Sequence, residues 1–141
     1  MREIWRTDWR PGSTAEPLGP VLVSVTDYTS NRAIDLAGIS VVGLRLRRHW
    51  PTLRGAVGVW LWTVPGQRRT GSVSVWLNQE ALEGFVTLPE HVKIMRRYRD
   101  RGSIQVTTWT AEQFDLRATW RTARGLLLDG TPAHPHAQGR A

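Results

Sequence analysis

The chain is predicted to form an α+β fold in a single domain, and three observations in its sequence predict it. Four runs of alternating, β-branched residues recur along 141 residues. Helical stretches separate the first run from the second and the third from the fourth. Only the short turn PGQRR parts the second from the third, which marks an antiparallel hairpin.

Residues 1–20, with Pro11, Pro17 and Pro20 and with Trp5 and Trp9 among charges, read as an irregular N-terminal arm. VLVSVTDY (21–28) is the first strand. Ser30 or Asn31 caps a helix running through Ile34, Ala37, Val41, Leu44 and Arg48 at near 3–4 spacing. Gly38 and Gly43 each weaken it by ~1 kcal/mol against alanine, and both permit close packing. Pro51 ends it. AVGVWLWTV (56–64) and TGSVSVWL (70–77) form the hairpin. Asn78 caps a helix over 79–86. Thr87-Leu88-Pro89-Glu90 has the form of a capping box, so the helix breaks and restarts there, runs to Arg101 and stops at Gly102. SIQVTTWT (103–110) is the fourth strand, and an extra C-terminal helix follows over 111–127. The domain spans 21–127, and 128–141 form a loose tail. The order βαββαβ is the ferredoxin-like one, with an antiparallel four-stranded sheet.

Period-2 alternation divides these strands into an aliphatic set and a set rich in tryptophan and hydroxyls. The first holds Val21, Val23, Val25, Val57, Val59, Leu61, Val73, Val75, Leu77, Ile104 and Val106. The second holds Trp60, Trp62, Trp76 and Trp109 among Ser24, Thr26, Tyr28, Ser72, Ser74, Gln105 and Thr107. Two helices cover one face of such a sheet, so the other face is expected to be an interface or ligand surface. A dimer packed sheet on sheet is the simplest solution. For the tryptophan set two readings stand: bulk packing with indole N–H groups on Ser or Thr, or the wall of a pocket for a flat ligand.

Composition narrows the chemistry. There is no cysteine, which excludes disulfides, thiolate metal sites and a Cys nucleophile. No stretch approaches the ~18–20 apolar residues of a membrane span, and the N-terminus has no signal-like run, so a cytoplasmic protein without a membrane partner is expected. The formal charge is +7, almost all of it arginine, with Lys93 the only lysine. The arginines are spread along the chain, and only Arg96, Arg97, Arg99 and Arg101 cluster, so nucleic acid is not the expected partner.

One histidine stands out. His91, Met95 and Tyr98 follow an i, i+4, i+7 spacing and share a helix side. His91 is a candidate acid, base or metal ligand, or a polar residue at the edge of the core. Asp27, at the end of the first strand, is either a base or the cap of a turn. Arg96 or Arg97 can meet an acidic ligand group. No dinucleotide or phosphate-loop motif and no nucleophile elbow occurs.

The strand ending in Trp76, then Glu80, Leu82 and Phe85, then His91 and the Met95-Arg96-Arg97 run, resembles the dimeric α+β-barrel superfamily of antibiotic-biosynthesis and haem-degrading monooxygenases. With Trp109 and the Leu126–Pro132 run LLLDGTP, the pattern is most similar to a member family of unknown function, over residues 20–133. The resemblance implies a homodimer with a pocket in each subunit for a planar hydrophobic ligand. Haem-degrading relatives place a helix His on iron and a strand Trp near the porphyrin, to which His91 and Trp76 correspond. Their first-strand Asn has no clean match, since only Asp27 and Asn31 lie nearby. Cofactor-free relatives let a deprotonated aromatic substrate react with oxygen. The cofactor expectation is therefore none or haem. The function expected is a monooxygenase acting on such a ligand, with a non-catalytic dimeric binding or scaffold module as the alternative.

Overall fold

The structure is a computed structural model and describes residues 4–129. Two short strands, β1 (Trp5–Arg6) and β2 (Arg10–Pro11), lead into β3 (Val21–Ser30), α1 (Ala33–Arg47), β4 (Ala56–Val64), β5 (Arg69–Trp76), α2 (Gln79–Val86), α3 (Pro89–Tyr98), β6 (Gly102–Ala111) and α4 (Leu116–Asp129). The four long strands form an antiparallel sheet in the order β4-β5-β3-β6. That is the ferredoxin-like topology expected from the sequence. The arm is less irregular than its prolines suggest, because β1 and β2 both pair with the outer side of β4. Residues 130–141 of the expected tail lie outside the described residues.

Several boundaries move for local reasons. Ser30 does not cap α1 in the ordinary way; its Oγ accepts from the Arg32 amide and donates to the Arg32 carbonyl, and the N-cap is Arg32. Asn78 does cap α2, accepting from the Ala81 amide at 2.9 Å. The capping box at Thr87 does not form. Thr87 instead donates back to the Glu83 and Gly84 carbonyls, closing α2, and α3 starts with Pro89 at its first position. α3 ends at Tyr98, and α4 starts only at Leu116, where the Asp115 carboxylate accepts from the Ala118 amide.

The division into faces is corrected by the pairing register. The four-residue connection 65–68 pairs Val64 with Arg69, so Trp60 lies opposite Val73 and Trp62 opposite Gly71. A bulge at Val57 then restores that residue to the same cluster. β3 pairs Val23 with Trp109 and Val25 with Thr107. Trp60, Trp62 and Trp109 therefore share a face with Val21, Val23, Val25, Val73 and Val75, whereas Val59, Leu61, Ile104 and Val106 join the hydroxyl face.

Both faces are covered, which removes the argument that an open face requires a dimer. α1, α2 and α3 cover the hydroxyl face over Leu22, Val59 and Trp76, with Trp50, Leu82 and Phe85 packed between. α4 covers the valine–tryptophan face with Trp120, Ala123, Leu126 and Leu127, helped by Ile4 and Trp9 of the arm. The Arg6 guanidinium lies against both the Trp60 and Trp120 rings, 5.3 and 4.7 Å from their centroids, and ties arm to helix.

Candidate functional site

The break between α2 and α3 creates the environment of His91. A continuous helix would give the Val86 carbonyl to an amide four residues on. With α2 closed at Thr87, His91 Nδ1 meets that carbonyl at 3.1 Å. A carbonyl only accepts, so Nδ1 carries the proton and Nε2 keeps its lone pair. Partial burial pushes the His91 pKa below its ordinary value, and the bond to Val86 offsets only part of this. The imidazole is therefore neutral near pH 7, the form needed by a base or a ligand.

Phe85 links His91 to the core. Its ring centroid lies 4.7 Å from His91, 4.8 Å from Trp50 and 5.2 Å from Trp76. Trp76 is fully buried beneath these rings, and its indole N–H donates to Ser74 Oγ at 2.9 Å. The shared helix side predicted for His91, Met95 and Tyr98 divides: Met95 is at the surface, whereas Tyr98 is buried against α1. Gly38 makes room there, since a Cβ on it would lie 2.6 Å from the Tyr98 hydroxyl. Tyr28 donates from its hydroxyl to the Tyr98 carbonyl at 2.9 Å, and Arg101 reaches Asp35 at 3.1 Å, so this end of α3 is clamped.

The remaining candidates lie elsewhere. Asp27 is on the valine–tryptophan face, across the sheet from His91. Arg69 grips it with Nε to Oδ1 at 3.2 Å and Nη2 to Oδ2 at 2.6 Å, and Nη2 also donates to the Leu127 carbonyl at 2.9 Å. Trp60, Trp62 and Trp109 are buried on that same face under α4. The Trp60 and Trp62 indole N–H groups have no hydrogen-bond partner among the described residues, so Ser or Thr satisfies only Trp76. Arg96 and Arg97 are exposed on the last turn of α3, with Arg97 leaning 5.7 Å from the Tyr98 ring centroid.

A groove of about 490 Å³ opens where Leu22, Thr108 and Thr110 meet Leu77, Asn78 and Gln79. It sits at the start of α2, roughly 12 Å of helix from the His91 end, and none of the predicted site residues lines it. The sequence drew attention to His91 by spacing but not to Trp50 or the Val86 carbonyl. The signal for the carbonyl was the Pro89 break, which frees a helix acceptor within reach of a side chain one turn on.

No family profile matches this chain, and no curated protein does. Solved structures do. SnoaB, a cofactor-independent oxygenase from Streptomyces nogalater, superposes with a TM-score of 0.55 at 18% identity, over 67% of this chain and 95% of SnoaB. This chain has the ferredoxin-like fold of the SnoaB oxygenase. A monooxygenase candidate from Lactobacillus acidophilus matches the same SnoaB-like fold with a TM-score of 0.56 at 14% identity, over 70% of this chain. This chain spans half the length of that protein. LmHde, a haem-degrading enzyme from Listeria monocytogenes, shares it with a TM-score of 0.50 at 14% identity, over 60% of this chain and 59% of LmHde.

Proposed function

We propose that this protein is a cytoplasmic, homodimeric oxygenase-like protein that takes a planar, acidic aromatic ligand at the His91 end of its helical layer. The observation that carries the reading is the tautomer of His91: Nδ1 donates to the Val86 carbonyl, partial burial favours the neutral ring, and Nε2 keeps its lone pair on an imidazole 4.7 Å from the Phe85 ring. Nε2 accepts the proton of an acidic phenolic ligand, the imidazolium so formed is paired with the phenolate left behind, and that deprotonated ring is the species that reacts with dioxygen. The Phe85 ring, 4.7 Å from the imidazole, supplies the apolar contact beside it.

Haem does not fit this site. His91 has a suitable donor, but Phe85 fills the space between it and Trp76, and Trp76 has no surface to offer a porphyrin. No step is therefore assigned to iron. The test measures oxygen uptake with polycyclic phenols beside a haemin titration. Turnover is expected in the native protein and a fall of about 10²–10⁴ in His91→Ala, with an unshifted Soret band in both. A His91-dependent Soret shift would reverse the exclusion of haem. Turnover unaffected by His91→Ala would sink the role given to that residue.

A second reading has its own support. Trp60, Trp62, Trp76 and Trp109 are all buried as packing, as in a non-catalytic binding module. Ligand binding without oxygen uptake would select it.

A further inference from the structure

We propose that the outer face of α1, with Trp5 beside it, rests on an anionic lipid surface. The sequence stripe Ile34, Ala37, Val41 and Leu44 looks like the buried side of an amphipathic helix, and the structure turns it outward. Ile34 is 68% exposed, and Val41 and Leu44 are 49% exposed each. At about 100° per residue the four lie within an arc of about 80°. The opposite side of the same helix is apolar too, with Leu46 packed on the core and Gly43 against Leu61. A helix apolar on two opposite sides buries one in its own core and leaves the other to be covered by something else.

Trp5 extends this surface. It pairs with Thr63 of β4, which places it on the α1 side of the sheet, and the residue is 61% exposed. Arg47 donates to the Asp8 carbonyl at 3.0 Å and fastens the arm to the end of α1. Exposed indoles beside aliphatic side chains are the usual anchors at the boundary between lipid headgroups and chains.

Charge selects the occupant. Arg32 precedes the stripe, and Arg45 and Arg48 flank its far end. The one acid of α1, Asp35, is buried and held by Arg101, so the exposed carboxylates nearby are Asp8 of the arm and Asp100, which is flanked in sequence by Arg99 and Arg101. A second copy suits this surface poorly. An antiparallel pair of α1 helices sets Arg48 of each copy near Arg32 of the other, and a parallel pair sets like arginines side by side. The helix is also a convex ridge rather than a groove, and a deformable bilayer accepts a ridge. Anionic headgroups would meet the arginines while Ile34, Val41, Leu44 and Trp5 enter the interface. The contact is with the surface only, since no helix among the described residues is long and apolar enough to cross a membrane.

The test uses phosphatidylcholine vesicles with and without phosphatidylglycerol, read by co-sedimentation and by tryptophan emission. The native protein is expected to bind the anionic vesicles at low salt at least about tenfold more tightly than the neutral ones. Emission should shift to the blue, and Trp5→Phe should remove that shift. The double variant V41E/L44E should lose binding at least about tenfold while its circular dichroism and melting temperature stay unchanged, because both side chains are half exposed. Failure of the native protein to bind anionic vesicles at low salt overturns the proposal. Equal binding by V41E/L44E also overturns it, leaving only diffuse attraction by scattered arginines. A dimer that V41E/L44E dissolves would assign the stripe to a second copy instead.

Discussion

Because burial lowers the pKa of His91, proton uptake by this one side chain differs between the folded and unfolded chains. The unfolded histidine takes a proton near pH ~6.5, and the folded one only at lower pH. Its contribution to stability is therefore complete above about pH 6.5 and is lost as the pH falls from there towards the folded pKa. His91→Gln keeps an N–H for the Val86 carbonyl but cannot titrate. Denaturant unfolding followed from pH 7.5 down to pH 5 should show a shallower loss of stability in the variant than in the native protein, to the extent of a fraction of the ~1.4 kcal/mol that each pH unit of proton linkage is worth. Parallel curves would mean that His91 is solvated and that its neutral form is not enforced. The residue itself was legible in the sequence from its helical spacing. Its partner was not, because a free carbonyl at a helix break has no side-chain letter. Asp27 was equally visible, but sequence alone could not show that the sheet lies between it and His91.

At the scale of elements, the strands were readable because period-2 alternation is a local property. Which strand faces belong together was not, because that depends on whether the connection between two strands shifts the pairing by an odd or an even number. Residues 65–68 make the sum of paired positions in β4 and β5 odd, so Trp60 meets Val73 rather than Ser72 or Ser74. α4 depends on such long-range pairing as well. Its docking joins the apolar contacts of Ala123 and Leu127 to a polar latch in which Arg69 holds both Asp27 and the Leu127 carbonyl. Arg69→Met keeps an apolar stem over Trp62 but leaves Asp27 half-buried without its cation and the helix carbonyl without its donor. A cost of about 1–3 kcal/mol is expected. It should appear as faster amide hydrogen exchange across 116–129 and at Asp27, with β4 unaffected. Uniform acceleration through the whole sheet would show that α4 does not open separately. Gly71 offers a contrasting case in the same sheet. A Cβ there would overlap the Thr26 carbonyl oxygen and lie 2.9 Å from the Trp62 ring, so Gly71→Ala should destabilise globally rather than locally.

The architecture of the whole molecule changes what a dimer can be. A sheet-on-sheet pair needs an open face, and α4 and the arm close the one that the helices of the βαββαβ unit leave. One outer side of the sheet is also closed, since β1 and β2 pair with β4. β6 remains the long edge, paired only with β3 among the described residues. Its ten residues, GSIQVTTWTA, contain neither a charge nor a proline. Proteins that leave an edge unpaired usually blunt it with lysine, proline or a bulge, because its free N–H and C=O groups otherwise recruit another strand. A homodimer of this protein should therefore join along β6, as one sheet continued through two copies. Light scattering at micromolar concentration should give twice the chain mass for the native protein. Ile104→Lys with Val106→Lys should give the single mass, since both side chains stand on the hydroxyl face of the edge strand and reach solvent there. V41E/L44E, on the other side of the helical layer, should leave the dimer intact. A native protein that scatters as a monomer would show that β6 tolerates its free edge, and the His91 site would then be complete within one chain.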